Sequence, residues 1–353
     1  SFTFKVNDGT VDSSAATISI DLRTDPLYPY QWHLNNTGQT NFATNAGTSG
    51  QDLNVDTVIV DGYTGDGVTV AVIDTGLEIA HEDLVDNIVS GSYDFLNGDE
   101  DPTNSANAGD HGTSVAGLIA ATGWNNKGGR GVAPDASLIG YNYLKSQETS
   151  NQTKAWGTNP PVSVDVDIYN LSYGIQYAKD NDGNPVATYN LPSFIPEALE
   201  EALENGVNNL RDGKGAIYIK SSGNDYLTSA TADCTTGDLS CTDMVIDNYQ
   251  GMPYIIQVGA LKATGFVSSY TTPGSALWIS GFGGEGGNNT SHSGINASCV
   301  NSQAMMTTDQ STCSQGYVRT GVSAGAGKNL NAFNLSLIHI SEPTRPRLIS
   351  YAV

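Results

Sequence analysis

VTVAVIDTGLEIAHEDL, residues 68–84, opens on six residues that are almost all apolar and β-branched and closes them with Asp74. A strand buried on one face alternates apolar with polar; this one does not, so it reads as a parallel strand covered on both faces. Strands of that kind end where open α/β sheets gather ligands and catalytic groups, which places Asp74 at the chemically useful edge. Runs of similar character recur at Ser137–Tyr141, Val164–Leu171, Ala216–Lys220 and Tyr254–Val258. Between them, Thr113–Ala121 and Pro192–Gly206 read as helices. In the second, Ile195, Ala198, Leu199, Ala202 and Leu203 form an apolar stripe with glutamates opposite. Strands alternating with helices mean βαβ units. The expectation is an α/β fold, a doubly wound and mostly parallel sheet with helices on both faces, spanning about 23–334.

The 353 residues carry 37 acidic against 15 basic side chains, a formal net charge of −22. No basic surface can release counterions from phosphates, which excludes a nucleic-acid partner. No run approaches the roughly 18 apolar residues of a membrane span. With 40 glycines and only 15% charged residues, many turns and irregular loops are expected rather than a helical bundle. Cys234, Cys241, Cys299 and Cys313 lack CxxC spacing, which argues against zinc or thioredoxin chemistry and for an oxidising compartment with two bridges.

The two ends differ from the middle. Residues 1–22 alternate at Phe2, Phe4 and Val6, turn at Asn7-Asp8-Gly9, and resume a strand at Thr17, Ile18 and Ile20, the pattern of a hairpin. Two strands are marginal alone in water. The segment resembles the closing strands of cadherin-like β-sandwich modules, which implies one module of a larger multidomain surface or secreted protein; an edge hairpin on the main domain is the alternative. Leu335–Arg345, opening the stretch 335–353, resembles the conceptual translation of a sequencing adapter, so the native chain is expected to end near Asn334 and His339 takes no part in any mechanism.

Four segments carry the chemistry: AVIDTGLEIAHEDL around Asp74, DHGTSVAGLIAA around His111, AIYIKSSGND around Asn224, and RTGVSAGAG around Ser323. A carboxylate at the end of a buried strand can accept the N–H of an imidazole. His111, opening a helix of small residues, suits a general base near neutral pH. The Asn224 amide can donate to an oxyanion without adding charge, and small neighbours let a carbonyl approach the Ser323 hydroxyl. In this order the segments resemble the subtilisin-like serine proteases (subtilases). Thr24-Asp25-Pro26 and Tyr28-Pro29-Tyr30-Gln31-Trp32-His33-Leu34 also resemble the entry segment of their kexin/furin-like branch.

The resemblance implies a secreted or cell-surface serine endopeptidase acting on protein or peptide substrates. Asp74 would orient His111, His111 would activate Ser323, and Asn224 would hold the oxyanion. Asp167–Gly174 resembles the substrate-binding strand and the wall of the specificity pocket, which implicates Asn170, Ser172, Tyr173 and Gly174; Asp247 resembles one pocket acid of the branch. Structural calcium is implied at Asp25, Asp83 and Asn125, with loop carbonyls near Lys127 and Gly129 completing the set. Several positions depart from the pattern: Val322 and Gly327 flank the serine where Thr and Pro are usual, Tyr173 stands for Trp, and Ile175-Gln176-Tyr177 stands where the branch places further acids. Specificity for paired basic residues is therefore only partly supported. Because just eleven residues separate Ser323 from Leu335, the serine's supporting helix is expected to be incomplete and the chain poorly active or inactive. Cys234 with Cys241 and Cys299 with Cys313 are the economical pairings, although either pair could instead engage a cysteine beyond Asn334. A surface adhesion module with a degenerate protease-like domain is the competing class; a nucleotide-binding protein is disfavoured because no glycine-rich phosphate loop follows the first strand.

Overall fold

The computed structural model describes residues 2–18, 24–40, 43, 45–104, 111–158, 165–174, 195–224, 226, 243–285, 302–311 and 335–338. Ser323 and the four cysteines lie outside the described residues, as do the beginnings of the Val164 and Pro192 segments. The remaining strands and helices expected above are present with ends shifted by a few residues. They comprise β3 (Thr69–Asp74), β5 (Ser137–Asn142), β6 (Ile168–Leu171), β7 (Ile217–Ser221) and β8 (Ile255–Leu261), with helices α2 (His111–Ala120) and α4 (Glu197–Asn209). The chain adds α1 (Asp56–Val60), β4 (Tyr93–Asp94), α3 (Thr149–Ala155) and β9 (Ile279–Phe282), which are short or polar enough to lack a clear period.

These strands form one seven-stranded sheet in the order β4-β5-β3-β6-β7-β8-β9, parallel at every pairing. The chain builds β3, then β4 and β5 on one side, then β6 to β9 on the other. The order therefore reverses between β3 and β6, and at such a reversal open α/β sheets place their ligands beyond the carboxyl ends of the strands.

Both faces of β3 are covered, as its unbroken apolar run requires. Val70 and Val72 pack with Val115, Leu118 and Ile119 of α2, while Ala71 and Ile73 pack in a second cluster with Ala155 of α3 and Leu199 and Leu203 of α4. Each fully buried Val, Leu or Ile contributes about 1.5–3 kcal/mol, so the two clusters hold the sheet from opposite sides. Every residue of α2 is buried. Its glycines permit that depth: a Cβ at Gly117 would lie 2.1 Å from Thr308 Oγ1, on β10 (Met305–Thr308). Thr308 and Thr307 donate their hydroxyls to the carbonyls of Thr113 and Ser114, both at 2.6 Å, and so fasten the first turns of α2 from above.

The N-terminal hairpin forms from β1 (Phe2–Phe4) and β2 (Ala16–Ile18), with Phe2 opposite Ile18. Residues 3–18 are exposed throughout, Phe4 and Val11 included, so the hairpin does not pack on the main sheet as an edge. At the other end β11 (Leu335–Ile338) pairs antiparallel with β10.

Candidate active site

Asp74 closes β3 and is fully buried. The left-handed Gly76, at φ 132°, turns the chain so sharply that a Cβ there would sit 2.3 Å from the Pro102 carbonyl oxygen. His111 opens α2 beside it: His111 Nδ1 lies 2.8 Å from Asp74 Oδ1 and 2.7 Å from Oδ2. A carboxylate can only accept, so Nδ1 carries the proton and Nε2 is left as the basic nitrogen. Two further bonds fix the pair. The Thr75 amide donates to Asp74 Oδ1 at 2.6 Å, and the His111 amide donates to Thr75 Oγ1 at 3.1 Å, which satisfies one of the amides a helix start leaves open. Gly112 makes the approach possible, because a Cβ there would lie 1.9 Å from the Gly76 carbonyl oxygen and 2.9 Å from the Asp74 Cβ.

Asn224 follows β7. Gly223 adopts φ 108°, and a Cβ on it would meet Thr272 Oγ1 at 2.6 Å. Two strand spacings, about 10 Å, separate the ends of β3 and β7. The end of β6 lies between them, carrying Ser172, Tyr173 and Gly174. β6 is hydrogen-bonded on both edges, to β3 and to β7. Ile168–Leu171 therefore has no edge open to a further strand, unlike what the resemblance of Asp167–Gly174 to a substrate-binding strand implies for its whole length. Asn170 is buried and spends an amide hydrogen on Ser172 Oγ at 2.9 Å. Tyr173 is buried too, its hydroxyl accepting from Trp156 Nε1 at 3.0 Å, and burial holds its pKa well above the usual phenol value.

Asp247 is buried, 3.2 Å from Lys220 Nζ. Lys220, at the inner end of β7, also donates to the Tyr173 carbonyl. The sequence reading passed over Lys220, although a lysine inside the apolar run AIYIK is an available signal, since a buried ammonium needs a partner.

Asp25, Asp83 and Asn125 come together at the loop after α2. Asp25 Oδ1 and Asp83 Oδ2 are buried without a hydrogen-bond partner. Burial raises the Asp25 pKa. Burial also pushes Asp83 up to about 7, with the neighbouring Asp25 charge adding to the shift. Two orphaned carboxylate oxygens that repel each other fit a hard cation. Asn125 turns its nitrogen rather than its oxygen to Asp83 Oδ1, at 2.7 Å, while its oxygen accepts from the Lys127 amide at 2.8 Å. Its amide would have to turn over to serve as a ligand. No group of three or more His, Cys, Asp or Glu side chains is arranged to hold a metal among the described residues, so any such site relies on amide and backbone oxygens.

The subtilase family model matches residues 65–342. The chain belongs to the subtilase family. It is 35% identical over 305 residues to the Aeromonas extracellular serine protease of Aeromonas sobria, covering 84% of this chain and 45% of that one. It is 33% identical over 280 residues to kexin of Saccharomyces cerevisiae, covering 79% and 30%, and 29% identical over 318 residues to human furin, covering 88% and 34%. The solved Aeromonas sobria serine protease, in complex with its chaperone, superposes with a TM-score of 0.75 at 31% identity, covering 90% of this chain and 51% of that one. The chain thus spans about half or less of the length of these relatives. The subtilisin-like fold and the kinship with kexin and furin expected from the motifs are borne out. No described helix is long and apolar enough to cross a membrane.

Proposed function

We propose that this subtilase is a serine endopeptidase in which Asp74, His111 and Ser323 form the catalytic triad and Asn224 supplies an oxyanion donor. The observation that carries the proposal is the buried Asp74–His111 pair at 2.7–2.8 Å, set at the point where the strand order reverses. With Nδ1–H held by Asp74, His111 Nε2 takes the proton of the Ser323 hydroxyl as its oxygen attacks the scissile carbonyl. The Asn224 amide donates to the oxyanion that develops, which is typically worth about 10²–10³ in turnover. His111 then returns the proton to the leaving amine, and water releases the acyl group by the same route. Residues 172–174 hold the substrate backbone as an added strand.

The substrates are proteins or peptides. Secretion is supported by the four cysteines, the acidic composition and the kinship with the Aeromonas extracellular serine protease. Calcium, held by Asp25 and Asp83 with Asn125 and nearby carbonyls, would supply charge compensation and tie the entry segment to the loop after α2. Comparing peptide hydrolysis by the chain and its Ser323→Ala variant tests the assignment: the variant should lose at least a thousandfold, and undiminished hydrolysis would remove Ser323 from the mechanism.

A further inference from the structure

Lys220 carries an ammonium into the interior on a strand that is otherwise built to be apolar. Its side chain is 1% exposed, and that of its partner Asp247 is 3% exposed, with 3.2 Å between Nζ and Oδ2. The ammonium also donates to the Tyr173 carbonyl and lies 5.1 Å from the centre of the Tyr173 ring. One lysine therefore links the end of β7, the segment past β6 and the turn that begins at Asp247. In register with it on β8 stands Gln257, fully buried and neutral, on the same face of the sheet. The Lys220 ammonium and the Asp247 carboxylate thus offset one another behind the Ser172–Gly174 segment.

This matters for what the site accepts, on the reading above that residues 172–174 and Asp247 border the pocket for the side chain preceding the scissile bond. An acid alone at the pocket floor would attract arginine or lysine. Here the carboxylate is already engaged. A second cation brought against Asp247 must either share it with Lys220 at close range or expel a buried ammonium from two partners, and both are opposed where water cannot screen the charges. An uncharged side chain meets neither obstacle. Discrimination of this kind works by leaving the wrong partner with an unpaired buried charge.

We infer that Lys220 is a specificity-determining residue: by holding Asp247 in a buried ion pair it closes the pocket to basic side chains and selects substrates with an uncharged residue before the scissile bond.

The test uses the full chain and a set of peptides identical except at that residue, which is Arg, Lys, Gln, Met or Phe. The expected result is a kcat/KM for the best uncharged peptide at least tenfold above that for Arg or Lys. Lys220→Met should shift the ratio at least tenfold toward Arg, because it frees the Asp247 carboxylate. Lys220→Met with Asp247→Asn, which removes both charges, should restore the preference for uncharged residues. Binding of the same peptides to a Ser323→Ala background, read by calorimetry, should show the same three orders of preference without any need for turnover. A native chain that prefers Arg or Lys overturns the inference, even if Lys220→Met does not fold. So does a cooperatively melting Lys220→Met whose ratio stays within threefold of the native one. Equal hydrolysis of the whole set by the Ser323→Ala variant is a different failure, since it removes the protease reading and this inference with it.

Discussion

Gly112→Ala isolates the contact on which the Asp74–His111 pair depends. The added methyl would lie 1.9 Å from the Gly76 carbonyl oxygen and 2.9 Å from the Asp74 Cβ. An ordinary carbon–oxygen contact needs about 3.4 Å, so α2 must retreat from the end of β3 by roughly 1 Å or more. Neither neighbour is a flexible side chain: one is backbone in a left-handed turn, the other the Cβ of a buried strand end. The Asp74–His111 bonds, now 2.7 and 2.8 Å, would open beyond hydrogen-bonding range. Overpacking of this kind typically costs about 1–3 kcal/mol in stability, and a misplacement of about 1 Å costs on the order of 10² in rate. The assay has two arms. Peptide hydrolysis should fall about a hundredfold, and the downfield proton NMR signal of an imidazole N–H bonded to a carboxylate should disappear while the protein still melts cooperatively. Retention of that signal with hydrolysis within threefold of the native chain would refute the claim that Gly112 sets the pair's geometry.

Acid should destabilise the protein through His33. Its ring is fully buried with neither nitrogen hydrogen-bonded, and burial lowers its pKa from 6.5 to about 3. The folded state therefore binds this proton more weakly than the unfolded chain, and stability is lost as pH falls below about 6.5. Between pH 7 and pH 5 the loss amounts to about 2 kcal/mol, which denaturant melts of the native chain and of His33→Phe should resolve as a slope that the variant lacks. Arg130→Ala should loosen the entry segment. The guanidinium stacks 3.8 Å from the centre of the Tyr28 ring and pairs with Asp56 at 3.2 Å, so a loss of about 1–2 kcal/mol and earlier proteolysis near residues 24–35 are expected. Chelation by EDTA should lower the melting temperature, and Asp83→Asn should abolish that response; an unchanged melt on chelation would remove calcium from the account. Thr308→Val should reduce kcat more than it raises KM, because it frees the start of α2 without touching the 172–174 wall.

Much of this architecture is legible along the chain. The run at Val68–Ile73 lacks alternation because α2 covers one face of β3 and α3 with α4 the other, and Asp74 ends it at the sheet's active edge. Asp74, His111 and Asn224 stand out as candidates in the sequence because each follows a local pattern: a strand end, a helix start, a glycine turn. The short β4 and β9 escaped notice, since two to four residues carry no measurable period. Lys220 and the closed edges of β6 escaped for a different reason. Whether a lysine in a strand meets solvent or a carboxylate depends on residues 47 and 27 positions away, Tyr173 and Asp247, and nothing local specifies them.

Composition and local pattern therefore suffice for the α/β class, the family and the candidates for a catalytic set, because hydrophobic period and strand-end chemistry are short-range properties. Distances and charge states across strands are long-range. The 2.7 Å Asp74–His111 contact, the orphaned oxygens of Asp25 and Asp83, and the neutralised Asp247 exist only once the crossovers bring separate segments together. There, burial rather than sequence neighbourhood sets which charges find partners.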